Sequence, residues 1–302
     1  MDERTLQIFL AVDSNLSFTQ TADEMHMSVS AVSRAIARLE LSLGQRLFDR
    51  DRRGMRATSA AVRLRSYAEN AVSEWRALQH SLRDGDAIAG ELRIYGSVTA
   101  SYRLLSPLLS AYRRACPAVD VRLQTGDQAA GVDRVLDGQA DVAVIAHPES
   151  LPPALTFASL ARTPLMLCLP TGSNADFPKL SGLRGYRLID SLKGRPWILP
   201  ERGVTRTLSD AWLRAHLNAP PEVYARVAGH EAIAAMVSLG LGVGIVPKIV
   251  AEAGVAASDL ILKSLPDLPA IDIGVCTRRG RLSDPVVASL MDCVERASGH
   301  GS

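Results

Sequence analysis

The spacing of apolar residues near the start of the chain predicts three short helices. Apolar side chains share one face of a helix over residues 3–13. Ser17 can cap a second helix over residues 18–25. After a short turn, Ser28 can cap a third helix, which Gly44 ends as its C-cap residue.

The third helix divides its side chains between two faces. One face is apolar, at spacings of 4, 3 and 4, and predicts a buried stripe of Val32, Ile36, Leu39 and Leu43. The opposite face is small and polar, so a backbone can approach it closely. We predict that this face enters the DNA major groove and that Arg34 reads a base edge. Its residues are Ser30, Ser33, Arg34 and Ala37.

Positive charge is concentrated at and after this helix. Residues 25–58 carry seven arginines against three acidic residues, whereas residues 1–24 carry one arginine against five acidic residues. A Gly-containing hairpin with several arginines suits a wing that lies along DNA phosphates, and a solvated arginine-rich loop is the alternative. The DNA-binding residues predicted in this way are Ser28, Val29, Ser30, Ser33, Arg34, Arg38, Arg50, Arg52, Arg53 and Arg56.

Residues 58–83 contain neither proline nor glycine and predict one long helix. At 1.5 Å per residue, about 25 residues reach roughly 38 Å, a length that suits a linker in a homodimer. Its apolar positions follow the spacing of a coiled-coil seam, and a helix buried in its own core is the alternative. The seam positions are Leu64, Ala68, Ala71, Trp75, Leu78 and Leu82, and a hinge is predicted at Asp84, Gly85, Asp86 and Gly90.

Beyond Gly90, short apolar strands alternate with helical segments, which predicts α/β units around a mainly parallel sheet. We expect two lobes, one over about residues 91–160 and 265–302 and the other over about residues 161–264. The two crossings between the lobes, near residues 161–163 and 265–266, would form a hinge beside a ligand cleft. The expected domains are therefore a DNA-binding domain at 1–58, a linker helix with a hinge at 59–90, and an effector-binding domain at 91–302.

Polar residues at the predicted strand ends are candidates for this cleft. Ser97 and Thr99 precede a helix, where hydroxyls and free N–H groups can hold a small anion or cap the helix. Arg206 can pair with a carboxylate or be solvated, and His230 can contact a ligand or pack. The predicted cleft residues are Ser97, Val98, Thr99, Gly126, Asp127, His147, Gly203, Thr205, Arg206 and His230.

Composition excludes several classes of protein. The 302 residues include no apolar run of the ~18 residues that a membrane span needs, and the start of the chain lacks the apolar region of a secretion signal. The four cysteines lie far apart, so we expect a cytoplasmic protein without a disulfide framework or a metal site. No nucleophile–base motif or phosphate-binding loop is found, so we expect no enzyme activity and no cofactor. Acid–base chemistry by His147, His230 and Asp127 is the alternative.

The N-terminal segment resembles the LysR-type transcription regulators. The resemblance implies a mixed fold: an N-terminal all-α winged helix-turn-helix with a long linker helix, then a two-lobed α/β effector domain like the periplasmic binding proteins. It also implies double-stranded DNA, a small-molecule inducer and further copies of the chain, in a homotetramer, as partners. Val29 and Ser30 stand where the family often has Gln-Pro, and this departure bears on base preference at that edge but not on the fold. Ala61 stands where a Gly is usual. The matching residues are Ala22, Ser28, Ala31, Val32, Ser33, Arg34, Ile36, Leu39, Glu40, Leu43, Gly44, Leu47, Phe48 and Arg50.

Further matches resemble the branch of this family that activates isoleucine and valine biosynthesis. They imply control of the gene for acetohydroxyacid isomeroreductase. They also imply acetolactate and acetohydroxybutyrate, which are 2-hydroxy-3-keto acids, as inducers. A regulator of another pathway with a different small carboxylate, or a solute-binding protein on the same fold, is the alternative. The matches are Gly90-Glu91-Leu92, Ser97-Val98-Thr99-Ala100, Thr125-Gly126-Asp127, Asp141-Val142-Ala143, Leu151-Pro152, Gly229-His230-Glu231-Ala232 and Met236-Val237.

Overall fold

The computed structural model describes residues 2–51, 54–83, 88–171, 182–217, 219–253 and 257–298. These residues form two compact units, one built mainly from residues up to Glu91 and one mainly from Leu92 onward. Each unit has a hydrophobic core of its own.

Three capped helices open the first unit, as predicted. The side chains of Asp2, Ser17 and Ser28 each accept an N–H group from the first turn of a helix, and so satisfy donors that a helix start leaves unpaired. Gly44 ends the third helix in the left-handed conformation, at φ 64°, which glycine adopts without steric cost. The elements of this unit are α1 (Glu3–Asn15), α2 (Phe18–Glu24), α3 (Val29–Leu43), β1 (Phe48–Asp51), β2 (Gly54–Ala57) and α4 (Ser59–Arg83).

The buried side of α3 differs from the predicted stripe at its end. Val32, Ile36 and Leu39 are buried against α1 and α2, as predicted. The prediction was wrong for Leu43, which is 40% exposed, whereas Ala35 is buried. Residues 41–46 are all exposed, because the last turn of α3 extends beyond the core.

The long helix α4 divides into a packed part and an exposed part. Ala61, Ala68 and Val72 are buried in the core that α1 and α3 share, and the Arg65 side chain forms an ion pair with Asp13 of α1. Further along, Trp75 and Leu78 are 44% and 48% exposed. The first half of the predicted seam is therefore packed within one chain, and pairing of two chains through the exposed half stays a prediction. The side chain of Leu82 and the predicted hinge at Asp84–Asp86 lie outside the described residues.

The second unit is built on one nine-stranded sheet with the order β4-β3-β5-β11-β6-β9-β7-β8, in which β10 also pairs with β6. A helical run of α5, a π-helical turn (Ser101–Leu105) and α6 follows the first strand. The elements are β3 (Ala89–Gly96), α5 (Val98–Ala100), α6 (Ser106–Ala115), β4 (Ala118–Thr125), α7 (Gly131–Leu136), β5 (Val142–Ala146), β6 (Leu155–Pro170), α8 (Gly185–Ser191), β7 (Pro196–Pro200), α9 (Val204–His216), β8 (Glu222–Val227), α10 (His230–Ser238), β9 (Val243–Pro247), α11 (Lys248–Ala253), β10 (Leu260–Lys263), β11 (Ala270–Arg278) and α12 (Pro285–Ser298).

The sheet is mixed, so the prediction of a mainly parallel sheet was wrong. The pairs β3–β5, β7–β8 and β7–β9 are parallel, but β11 is antiparallel to β5 and β6, and β6 is antiparallel to β9 and β10. The antiparallel pairs centre on the long strand β6. Its first part pairs with β11, and its last part pairs with β9 and β10. The strand carries the chain from one half of the sheet to the other, and β11 returns in the opposite direction. The division into two lobes at these crossings stays a prediction.

A buried carboxylate joins β3 to the start of β5. The Asp141 side chain is fully buried and accepts hydrogen bonds from the guanidinium groups of Arg93 (2.9 Å) and Arg281 (3.1 Å). It also accepts the backbone N–H of Arg93 at 2.8 Å. A buried charge is tolerated when it is paired and hydrogen-bonded in this way. Asp141 therefore holds β3 against the start of β5.

Candidate functional site

The face of α3 opposite the core is open to solvent. Ser28, Ser30 and Arg34 are exposed, Ser33 is half-buried, and Val29 is 44% exposed. The Ser28 hydroxyl lies 3.1 Å from that of Ser30 and accepts the N–H of Ala31. The first turn thus presents hydroxyls and a small apolar group, and the exposed guanidinium groups of Arg34 and Arg38 follow on the same helix.

The predicted wing is a two-stranded antiparallel hairpin. Phe48 pairs with Ala57, and Arg50 pairs in register with Met55. Arg56 is exposed on the second strand. The side chain of Arg50 and residues Arg52 and Arg53 lie outside the described residues.

Glu40 links α3 to this hairpin. Its Oε1 atom accepts the N–H groups of Leu47, at 2.7 Å, and Phe48, at 3.2 Å. The Thr58 hydroxyl closes the other end of the hairpin by donating to the Arg46 carbonyl at 2.8 Å. From the sequence, Glu40 had no expected role beyond its place in the segment that matches the family. The available signal was a charged residue directly after buried Leu39.

A cleft of about 260 Å³ lies within the second unit, between the ends of strands from both halves of the sheet. Four of the predicted cleft residues line it: Asp127, Gly203, Thr205 and His230. The chain approaches itself closely here, since a Cβ atom on Gly203 would lie 2.9 Å from the Cβ of Ala129. Gly203 also has φ +89°, so glycine is required at this position for two reasons.

The other predicted cleft residues are placed at its margins or elsewhere. Val98 is 63% exposed, and His147 is exposed with its ring edge-on to Phe157 at 4.7 Å. Gly126 packs on Tyr95, whose hydroxyl would clash with a Cβ atom at that position.

Arg206 is not among the residues that line the cleft, whereas Arg202 is. The Arg206 guanidinium forms an ion pair with Asp210 and donates to the Pro200 carbonyl at 3.0 Å. Arg202 lines the cleft, and its Nε donates to Oδ2 of Asp127 at 3.0 Å. Asp127 follows β4 and Arg202 follows β7, so this ion pair spans the cleft. Residues 201–206 contain both arginines within one segment, and sequence spacing alone could not separate them.

Two buried polar atoms in the cleft have no hydrogen-bond partner among the described residues. They are Nε2 of Gln128 and Oγ1 of Thr205. Gln128 is 9% exposed and Thr205 is 2% exposed. Buried donors are normally paired, so these two side chains are candidates for hydrogen bonds to a ligand. Gln128 was missed by the sequence analysis, although it directly follows the predicted pair Gly126-Asp127.

His230 begins α10 at the floor of the cleft. Burial lowers its pKa, and the nearby negative charges of Glu231 and Asp127 oppose that effect only in part. The imidazole is therefore neutral at pH 7, so it can accept or donate a hydrogen bond but adds no positive charge.

Ser97 and Thr99 are both 5% exposed and already have a partner. The backbone N–H of Thr99 donates to Oε1 of Glu231 at 3.0 Å, and the Ser97 hydroxyl caps the helical run by accepting the N–H of Ala100. The predicted anion-binding hydroxyls are thus next to a carboxylate of the protein itself.

Within the described ranges there is no group of three or more His, Cys, Asp or Glu side chains placed to hold a metal ion. None of the helices described there combines the length and apolar character needed to cross a membrane.

Comparison with known families agrees with both units. Residues 4–62 match the family described as "Bacterial regulatory helix-turn-helix protein, lysR family", and residues 85–299 match "LysR substrate binding domain". The chain is 35% identical to the HTH-type transcriptional activator IlvY of Salmonella typhimurium, over 95% of this chain and 97% of that protein. It is 34% identical to the HTH-type transcriptional regulator IlvY of Escherichia coli K12, over 95% of this chain and 96% of that protein.

Solved structures show the same fold over the full length. The structure of CbnR, a LysR family transcriptional regulator, matches with a TM-score of 0.70 and 21% identity, and covers 98% of this chain and 99% of that one. Full-length CbnR in complex with its target DNA matches with a TM-score of 0.69 and 21% identity, over 98% of this chain and 100% of that one. The relatives and structures named here are transcription regulators and not enzymes. The chain belongs to the LysR family of bacterial helix-turn-helix transcription regulators.

Proposed function

We propose that the chain is an IlvY-like activator, which controls the gene for acetohydroxyacid isomeroreductase and so the synthesis of branched-chain amino acids. The observation that carries this proposal is the 35% identity to an IlvY activator over 95% of the chain. The similarity extends through the ligand-binding unit, where regulators of different pathways are expected to differ. Its expected setting is the cytoplasm. The proposed domains are residues 1–58, 59–90 and 91–302.

The proposed inducers are acetolactate and acetohydroxybutyrate. Each carries a carboxylate, a tertiary hydroxyl and a ketone, so it needs several hydrogen-bond donors within a small cleft. The free Nε2 of Gln128 and Oγ1 of Thr205 and the guanidinium of Arg202 are donors of this kind. Asp127, Gly203 and His230 complete the proposed contacts.

The proposed DNA contacts are the exposed residues of α3 and the arginines of the wing. Arg34 would read a base edge, because it lies on the exposed face of the helix that follows the turn. Arg56 would contact a phosphate. Pairing of two chains through the exposed end of α4 would place two such helices on successive turns of the duplex, and a tetramer would pair two dimers.

Calorimetric titration of the full chain with acetolactate tests the inducer. We expect binding to the original protein and about tenfold weaker binding to Thr205→Val, because the variant keeps the shape and loses one donor, worth about 1.4 kcal/mol. Thr171→Val, at an exposed position outside the cleft, is the matched control. A thermal-shift screen of other carboxylates complements this titration. Stabilisation by an unrelated carboxylate, with none by acetolactate, would contradict the proposed inducer and leave the family assignment unchanged.

A further inference from the structure

The carboxylate of Glu231 lies where a ligand carboxylate was predicted. Glu231 is in the first turn of α10, and Thr99 follows β3 in the opposite half of the sheet. Oε1 of Glu231 accepts the Thr99 N–H at 3.0 Å, and the side chains of Thr99 and Ser97 help to lower the pKa of this carboxylate. These donors are called the Ser97–Thr99 donor group below.

The contact is between a charged acceptor and buried donors. Burial by itself would raise the pKa of Glu231, but the hydrogen bonds from Thr99 and Ser97 outweigh burial, so the pKa is lowered. The carboxylate is therefore ionised at neutral pH. Removing it would leave Ser97 and Thr99, each 5% exposed, without this acceptor.

Glu231 also differs from the other acidic residues around the cleft. Asp127 is neutralised by the ion pair with Arg202, whereas Glu149 and Glu201 are exposed to solvent. Glu231 has no cation partner within salt-bridge distance among the described residues and is held by hydrogen-bond donors. A small organic acid would use the same kind of donors.

We propose that Glu231 is an internal occupant of the Ser97–Thr99 donor group and that a ligand carboxylate must displace it to bind there. Two carboxylates cannot share these donors, because like charges at this distance repel. While Glu231 is in place, its bond to Thr99 ties the two halves of the unit together, as the Arg202–Asp127 ion pair also does. Displacement frees α10 from Ser97 and Thr99, and so provides a direct route from ligand binding to movement of one half against the other.

The same competition gives selectivity. A simple monocarboxylate offers the donor group nothing that Glu231 does not already supply. An acid with a hydroxyl and a ketone gains further bonds, for which Gln128 and Thr205 are placed in the adjoining cleft. The selectivity for a hydroxy-keto acid rests on the proposed function, whereas the occupation of the donor group by Glu231 does not.

Hydrogen exchange on the full chain without inducer tests the occupant. We expect the Thr99 amide to exchange about tenfold faster or more in Glu231→Ala than in the original protein, and to keep intermediate protection in Glu231→Gln, which retains an oxygen acceptor. Glu222→Gln, at an exposed position on β8, is the control and should change nothing at Thr99. Added acetate should restore the Thr99 protection in Glu231→Ala. Unchanged exchange in Glu231→Ala, or no restoration at any acetate concentration, would overturn the proposal.

Titration with acetolactate tests the displacement separately. The affinity of Glu231→Ala should be about tenfold higher than that of the original protein, because no internal carboxylate competes. Equal or weaker binding by the variant would overturn the competition. Failure of acetolactate to bind either protein would contradict the proposed inducer, while the exchange result would still decide the role of Glu231.

Discussion

Oε1 of Glu40 lies 2.7 Å from the backbone nitrogen of Leu47, and this hydrogen bond connects the helix proposed to enter the major groove with the wing. Leu47 is fully buried, so the bond lies at the base of the hairpin. The Glu40 carboxylate thus helps to set the position of α3 relative to the wing, and with it the positions of the arginines proposed to contact DNA.

Glu40→Ala should reduce the stability of the first unit and weaken DNA binding. The N–H groups of Leu47 and Phe48 lose their acceptor, at a cost of about 1–3 kcal/mol for an unsatisfied buried donor. Chemical denaturation measures the stability, and a fluorescence-anisotropy titration with operator DNA measures the binding. Asp23→Asn, at an exposed site in α2, is the control. Equal denaturation midpoints for Glu40→Ala and the original protein would contradict the role of Glu40 in holding the hairpin to α3.

Arg34→Ala should weaken binding to specific DNA more than binding to random DNA. A guanidinium that reads a base edge contributes about 1–3 kcal/mol of discrimination, whereas a phosphate contact contributes to all sequences alike. Arg56→Ala should instead lower both affinities and reduce the salt slope by about one ion. Titrations at several salt concentrations separate the two effects, with Arg63→Ala on α4 as the control. An equal loss of both affinities in Arg34→Ala would make Arg34 a phosphate contact.

Arg202→Ala should change the inducer response, whereas Arg206→Ala should chiefly affect stability. Arg202 spans the cleft to Asp127, and Arg206 is occupied by Asp210 and the Pro200 carbonyl. The inducer concentration for half-maximal transcription and the thermal midpoint of each variant are the two measurements. A shifted inducer response in Arg206→Ala at an unchanged midpoint would reverse the assignment.

Leu78→Asp should separate the dimer, because it places a charge on the exposed seam of α4 where two chains are proposed to meet. Leu78 is 48% exposed in the single chain, so the variant should still fold. Val62→Asp, 50% exposed and on another side of the same helix, is the matched control. Sedimentation measures the mass. A dimer that persists in Leu78→Asp at concentrations where Val62→Asp is also dimeric would contradict pairing through this seam.

Local signals predicted the first unit well. The caps Ser17, Ser28 and Gly44 act within a few residues of their helices, so sequence spacing is enough to locate them. The burial of Leu43 was misjudged because burial depends on where neighbouring helices end. The seam on α4 was divided for the same reason, since Ala68 is buried in the core that includes residues of α1, whereas Trp75 and Leu78 are exposed.

Long-range pairing was harder to predict. Thr156, Ser159 and Thr163 interrupt the apolar pattern in the first part of β6, so only its apolar end over residues 165–169 was recognised as a strand. The antiparallel pairing of β6 with β11 joins segments that are distant in sequence. The contact between Thr99 and Glu231 spans the sheet in the same way, and the spacing of residues along the chain contains no signal for it.

Transcription in vitro from the isomeroreductase promoter, with the purified protein and with or without acetolactate, is the most direct test of the proposed role. We expect that the protein binds this promoter and that acetolactate increases transcription, with no increase from a matched acid that lacks the hydroxyl and the ketone. Equal transcription at every acetolactate concentration, with the protein bound to the promoter, would contradict the proposed role.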